Sequence, residues 1–237
     1  LEDLTYEQFA RLSVDRDHLP GVTIESTQAR SYPRGRDFAH VVGYVARPNQ
    51  QDIARTMEDR GVDPRSEQAN GIRRQLKHPA MRVGRLGLER YADEWLKGEF
   101  GEFAFEKNAQ GRTLGRVSER DKPPVPGKDV WLTIDAGLQR SIIERFGDET
   151  GAAVVLDLDS GDILALASKP TYNPNDFVNG ISSADYNALR NDERSPLYHK
   201  AYDGVYPPGS TFKMVVGSAA LPHGVITPAE RVVCNGR

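Results

Sequence analysis

Ser210-Thr211-Phe212-Lys213 is the one run whose residue types and spacing could do chemistry. Three positions apart on a helix, Ser210 and Lys213 project from one face about a turn apart. A hydroxyl is a poor nucleophile until a neighbouring base accepts its proton. A lysine enclosed by apolar neighbours can give up its own proton near neutral pH and serve as that base. Pro208 and Gly209 precede the run and an almost wholly apolar stretch follows it, so the pattern predicts a buried helix from Ser210 to about Leu221. Ser210 would then lie in the first turn, where unpaired N–H groups and the positive end of the helix favour developing negative charge. Its own N–H would supply half of an oxyanion hole. A bare Ser-x-x-Lys arises by chance about once in a chain of this size, and an N-capping serine with a surface lysine explains it as well. The string Tyr206-Pro207-Pro208-Gly209-Ser210-Thr211-Phe212-Lys213 is far rarer, and no other serine has a lysine three residues on.

The elements that position this run read as follows. Residues 1–16 show helical spacing through Leu4, Phe9 and Leu12, and Val22 to Tyr32 alternates as a half-exposed strand. Asp37 is placed to cap a short helix through Val45, with Phe38, Val41, Val42 and Val45 on one face. Residues 48–79 are polar and read as helix and loop. Leu86 to Leu96 reads as a helix ending before Gly98, and Phe100 to Val117 as strands joined at Asn108-Ala109-Gln110-Gly111. Asp121-Lys122-Pro123-Pro124-Val125-Pro126-Gly127 cannot continue a helix or sit mid-sheet, so a domain boundary is placed there, between 1–126 and 127–237. Beyond it come a short strand at Val130–Ile134, a helix capped by Asp135, and a hairpin of Ala152–Asp157 and Ile163–Ser168 turning at Asp159-Ser160-Gly161. Residues 170–208 form a long, turn-rich stretch of the kind that is often functional.

The chain has 237 residues, a net charge of −3 and one cysteine. Its mean hydropathy is −0.57, which with 22 Gly and 15 Pro points to a loop-rich, extended architecture with little core. There is no basic footprint for nucleic acid, and Arg73, Arg74, Lys77, Arg82 and Arg85 read as a solvated face. A lone Cys234 excludes an internal disulfide. No stretch approaches the length of a membrane span, and both ends read as cut. His40, His78, His199 and His223 lack ligand spacing and read as surface or capping residues, Asp157 and Asp159 as turn chemistry, and no metal or cofactor is called for. Tyr91 and Trp95 read as core or as a partner surface.

The string ending at Lys213 resembles the nucleophile motif of penicillin-binding proteins and serine β-lactamases. The stretches Gly151–Asp157, Gly161–Ser168 and Asn173–Ser182 with Asp185-Tyr186 are similar to the opening of the transpeptidase domain in elongation-type class B penicillin-binding proteins. Gly87-Leu88-Glu89-Arg90-Tyr91 and Asp129–Asp135 resemble the non-catalytic pedestal and its junction. The resemblance implies an α+β protein, with a dimerisation-type pedestal over 1–126 and the N-terminal part of a transpeptidase domain over 127–237. It implies Ser210 as the acylated nucleophile, Lys213 as its proton acceptor, and no cofactor. The implied ligands are peptidoglycan stem peptides and β-lactams, and the implied partners are a membrane glycan polymerase and rod-complex proteins on the pedestal. The place implied is the periplasmic face of the bacterial inner membrane.

The family's Ser-x-Asn and Lys-Thr-Gly elements do not follow Lys213 in this sequence, so the 237-residue piece is expected to be inactive by itself and to expose a sheet edge and apolar helix faces. Cys234 lies near where some relatives place a metal ligand, and its partners would lie beyond Arg237. Two other readings are a non-catalytic scaffold, in which 1–126 binds cell-wall partners, and a β-lactam-sensing or β-lactam-hydrolysing protein. The long pedestal argues against the second of these.

Overall fold

The computed structural model describes residues 4–19, 29–110, 113–231 and 233–236. The strand expected over 22–32 falls mainly outside them. The fold is α+β, with short elements and small cores, as the lean apolar content requires. In chain order the elements are α1 (Tyr6–Val14), α2 (Ala39–Val42), β1 (Val45–Ala46), α3 (Gln50–Asp59), α4 (Glu67–Leu76), β2 (Val83–Gly84), α5 (Gly87–Tyr91), α6 (Asp93–Leu96), β3 (Phe105–Lys107) and β4 (Thr113–Arg116). Then come α7 (Ala136–Arg145), β5 (Gly151–Leu156), β6 (Ile163–Lys169), α8 (Asn175–Val178), α9 (Ser183–Asn191) and α10 (Phe212–Ala220). The chain divides into two compact units, residues 1–202 and 203–237.

Among the described residues, three antiparallel pairs, β1–β2, β3–β4 and β5–β6, make up the sheets of the first unit. The helices α3 and α4 begin at Asn49 and Ser66, whose side chains accept from the backbone N–H three residues on. Such caps satisfy N–H groups that a helix cannot bond internally. Between these helices lies one core, of Met57, Val62, Ala69, Ile72, Leu76, Met81 and Val83. Two other cores join residues far apart in sequence: Tyr32 and Val45 with Val178, and Ala39 with Tyr172 and Phe177. Arg82, read as solvated, donates its Nε–H to the Val178 carbonyl at 2.6 Å, and Arg85 grips Asp52 through two bonds of 2.8 Å.

Asp37 caps nothing; it ends a 3₁₀ turn (Gly35–Asp37), Phe38 stands at the N-cap of α2, and Val45 is in a strand. The Asp37 carboxylate instead accepts from Arg140 at 3.2 Å. The helix over 86–96 is broken at Ala92 into α5 and α6. Tyr91 is largely exposed and Trp95 more than half exposed, so neither is core. No strand forms at 130–134: Thr133 Oγ1 reaches the Ile163 carbonyl and Asp135 N–H the Leu164 carbonyl, too few bonds for a ladder. The stretch 170–208 holds two helices, α9 being capped by Ser182.

The Asp135 cap and the hairpin are as expected: Asp135 Oδ1 accepts from Leu138 N–H at 2.7 Å, and β5 pairs with β6 from Gly151↔Lys169 to Leu156↔Ile163. Asp157 Oδ1 accepts from the N–H groups of Asp159 and Ser160, which holds its carboxyl below the usual range and makes it a turn residue. Nothing in the residue pattern signals the part played by Gln139 on α7. Its buried amide accepts from Leu166 N–H at 2.9 Å and donates to the carbonyls of Leu166 and Asp37 at 3.0 Å each. It thereby takes the place of a neighbouring strand on the outer edge of β6. Gln139→Leu leaves these part-buried groups without this partner and should lower stability by about 1–3 kcal/mol, read as a fall in the urea midpoint.

Candidate active site

Residues 203–237 form the second unit, and the serine–lysine run lies in it. Gly209 adopts φ +52°, a left-handed conformation that favours glycine, and opens a 3₁₀ turn over Gly209–Thr211. The Thr211 hydroxyl and N–H both return to the Pro208 carbonyl, which supports the tight turn. Ser210 therefore sits in a 3₁₀ turn that runs straight into α10, rather than in the first turn of the α-helix itself. The i, i+3 repeat of that turn keeps Ser210 and Lys213 on one side of the continuous helical run.

The burial expected here is absent. Ser210 and Lys213 are exposed, and so are Phe212, Met214, Val215 and Val216; no residue of α10 is buried. The helix period spreads its apolar residues around the whole circumference, and a helix that is apolar all round is made to be enclosed on every side. The second unit does not enclose it. The hairpin shows the same property: Val154, Leu156 and Ile163 expose one apolar face of β5–β6.

Among the described residues no group of three or more His, Cys, Asp or Glu could hold a metal ion, and Cys234 is exposed. His223 Nδ1 meets the Ala219 carbonyl at 2.8 Å near the end of α10, and His78 Nδ1 accepts from Ala80 N–H, both local backbone contacts as expected. His40 and His199 are not surface residues; both are buried, with ring centres 5.1 Å apart. Their signal in the sequence was only their apolar and aromatic surroundings.

Residues 1–132 match the model of the Penicillin-binding Protein dimerisation domain, more than half of the chain, and residues 151–237 match the Penicillin binding protein transpeptidase domain. The chain belongs to the penicillin-binding proteins. Within them it is similar to the peptidoglycan D,D-transpeptidase MrdA of Escherichia coli strain K12, at 41% identity over 225 residues, 95% of this chain and 33% of that one. With MrdA of Haemophilus influenzae it shares 38% identity over 99% of this chain and 34% of that one. Two solved penicillin-binding proteins have the same fold. Pseudomonas aeruginosa PBP2, in complex with WCK 5153, aligns with a TM-score of 0.66 and 36% identity over 89% of this chain and 39% of its own. Helicobacter pylori PBP2, in complex with MreC, aligns with a TM-score of 0.74 and 28% identity over 97% of this chain and 39% of its own. The chain spans about a third of the length of the curated penicillin-binding proteins it matches. No helix among the described residues is long and apolar enough to cross a membrane.

Proposed function

We propose that the full-length protein is a peptidoglycan D,D-transpeptidase of cell elongation, acting through a serine acyl-enzyme at Ser210. The observation that carries this is the serine–lysine pair, one helical step apart at the head of α10, inside a stretch related to transpeptidase domains. Ser210 Oγ attacks the carbonyl between the two D-alanines of a stem peptide, while Lys213 Nζ takes the hydroxyl proton. The peptide C–N bond then breaks, D-alanine leaves with a proton, and an ester remains on Ser210. An amine of a neighbouring stem peptide attacks that ester, forms the cross-link and frees the hydroxyl. A β-lactam enters at the first step and stays as the acyl-enzyme.

The pedestal occupies residues 1–126 and the transpeptidase part 127–237, with the boundary in the proline-rich connector. We assign the protein to the periplasmic face of the inner membrane, where its substrate lies, with a membrane glycan polymerase and rod-complex proteins as partners of the pedestal. The MreC complex of the Helicobacter pylori relative supports such a partner.

The test is intact mass spectrometry of the full-length protein after exposure to a penicillin, followed by tryptic mapping. The expected adduct lies on the peptide running from Ala201 to Lys213. No adduct, or one mapped elsewhere, overturns the assignment of Ser210.

A second reading, a pedestal scaffold that binds partners without catalysis, is favoured by exposed aromatics at Tyr91, Trp95 and Phe105. Binding of a partner by residues 1–126 alone would support it, and binding by the full chain only would exclude it.

A further inference from the structure

His40 lies on the four-residue helix α2, deep in a contact between segments distant in sequence. Its ring stands 5.3 Å from that of Tyr172, edge to face, and 5.1 Å from that of His199. Its Nε2 is 3.3 Å from the carbonyl of Pro170, one residue past β6. A carbonyl only accepts, so Nε2 carries the proton and Nδ1 is the bare nitrogen of the neutral ring. The Tyr172 hydroxyl donates to the Ala39 carbonyl at 3.0 Å, so α2 is held to this place at two adjacent residues.

The surroundings oppose a charge on that ring. Beyond Tyr172 stands Tyr44, at 5.9 Å, and beyond His199 stands Tyr202, at 4.2 Å. Lys200 is buried beside His199, its ammonium donating to the Ser195 carbonyl at 2.8 Å and its N–H accepted by Ser168 Oγ. The groups acting electrostatically on His40 are His199 and Lys200, and both repel a proton. Asp192 acts on Lys200 and favours its charge. Burial, the largest effect, outweighs the Pro170 carbonyl, which favours the proton, and with these two neighbours lowers His40 to about 4.

We propose that His40 is an acid-sensitive latch, whose protonation releases α2 from the end of β6 and from the His199–Lys200 turn. A proton arriving at Nδ1 places a cation among aromatic rings and beside an ammonium. Opening of the contact lets water reach the ring and restores its ordinary basicity. A histidine whose folded value is depressed loses stability as pH falls, over the window from its unfolded value of 6.5 down to about 4. This device is independent of the role assigned to Ser210.

Hydrogen exchange of the full-length protein, corrected for the intrinsic effect of pH on amide exchange, reads the latch directly. Protection of residues 39–46 and 165–172 should fall by about twentyfold between pH 7 and pH 5, from the one-proton linkage alone. His40→Gln keeps a donor for the Pro170 carbonyl, and His40→Phe keeps the ring against Tyr172; neither titrates. In both, the loss should stay below about threefold, in proportion to the linkage removed. An unchanged loss in either variant assigns the effect to other groups and overturns the proposal. If neither variant folds, titration of the His40 ring in the wild-type protein by NMR decides: a value well below 6 supports the latch, and one near the ordinary 6.5 overturns it.

Discussion

Ser210→Ala should abolish the penicillin adduct of the full-length protein, and Lys213→Met should slow its formation by about 10²–10⁴-fold, the range for loss of a positioned general base. The two changes differ in kind. Without Oγ there is no atom to form the ester, so no incubation time recovers the adduct. Without Nζ the hydroxyl remains and acylates slowly through water. Lys213→Arg separates a base from a fixed charge, because a guanidinium stays protonated at any working pH. A base role predicts that arginine rescues nothing; a wild-type acylation rate in Lys213→Arg would make Lys213 an electrostatic group only. In the 237-residue chain both side chains are exposed, so these changes should leave stability within about 0.5 kcal/mol, as for ordinary surface sites. That control separates lost chemistry from lost fold.

What the sequence showed of this run was its helical setting and not its enclosure. The serine–lysine spacing, the preceding Pro-Gly and the apolar run are local, and α10 follows them closely. Whether a helix is buried depends on what packs around it, and no residue pattern within residues 210–221 contains that information. The same division holds elsewhere. Asp135, Ser66 and Ser182 cap the helices that follow them because capping is decided within four residues. Asp37 carries the same local signal, but the glycine-opened 3₁₀ turn and the pull of Arg140, about a hundred residues away, redirect it. The Val130–Ile134 stretch has strand composition and lies near β6, yet the amide of Gln139 occupies the edge it would need. Strand formation is a property of the pair, and the competitor for the pairing edge was a side chain on a helix.

Glu89→Ala should destabilise the protein by about 3 kcal/mol, the low end of the cost of breaking a buried ion pair, because Arg30, the partner left behind, is partly exposed. Glu89 is only 4% exposed, within a run matched from sequence as family resemblance alone. It pairs with Arg30, whose Nε lies 2.8 Å away and whose Nη2 donates to it at 3.2 Å, and it accepts from the Tyr32 hydroxyl at 3.1 Å; that hydroxyl in turn accepts from Val45 N–H. Tyr32 carries the chain onward: its N–H and carbonyl both bond the Asn175 side chain, at 2.9 and 3.0 Å. One carboxylate therefore anchors a line running from α5 through β1 to α8. Glu89→Gln retains an acceptor for Tyr32 and should cost less, about 1–3 kcal/mol. The pH dependence of that smaller cost follows from which effect dominates at Glu89. Burial pushes its carboxyl up, against the opposing pull of Arg30 and the Tyr32 hydroxyl. The folded protein therefore takes up a proton at Glu89 more readily than the unfolded chain, and wild type gains from this as pH falls toward the ordinary carboxylate range. Glutamine cannot gain it. The urea midpoints of wild type and Glu89→Gln should thus lie furthest apart at acid pH and draw together as pH rises through the raised value. A gap that instead widens toward alkaline pH would mean that Arg30 outweighs burial and that the pair stabilises this fold as a charged unit.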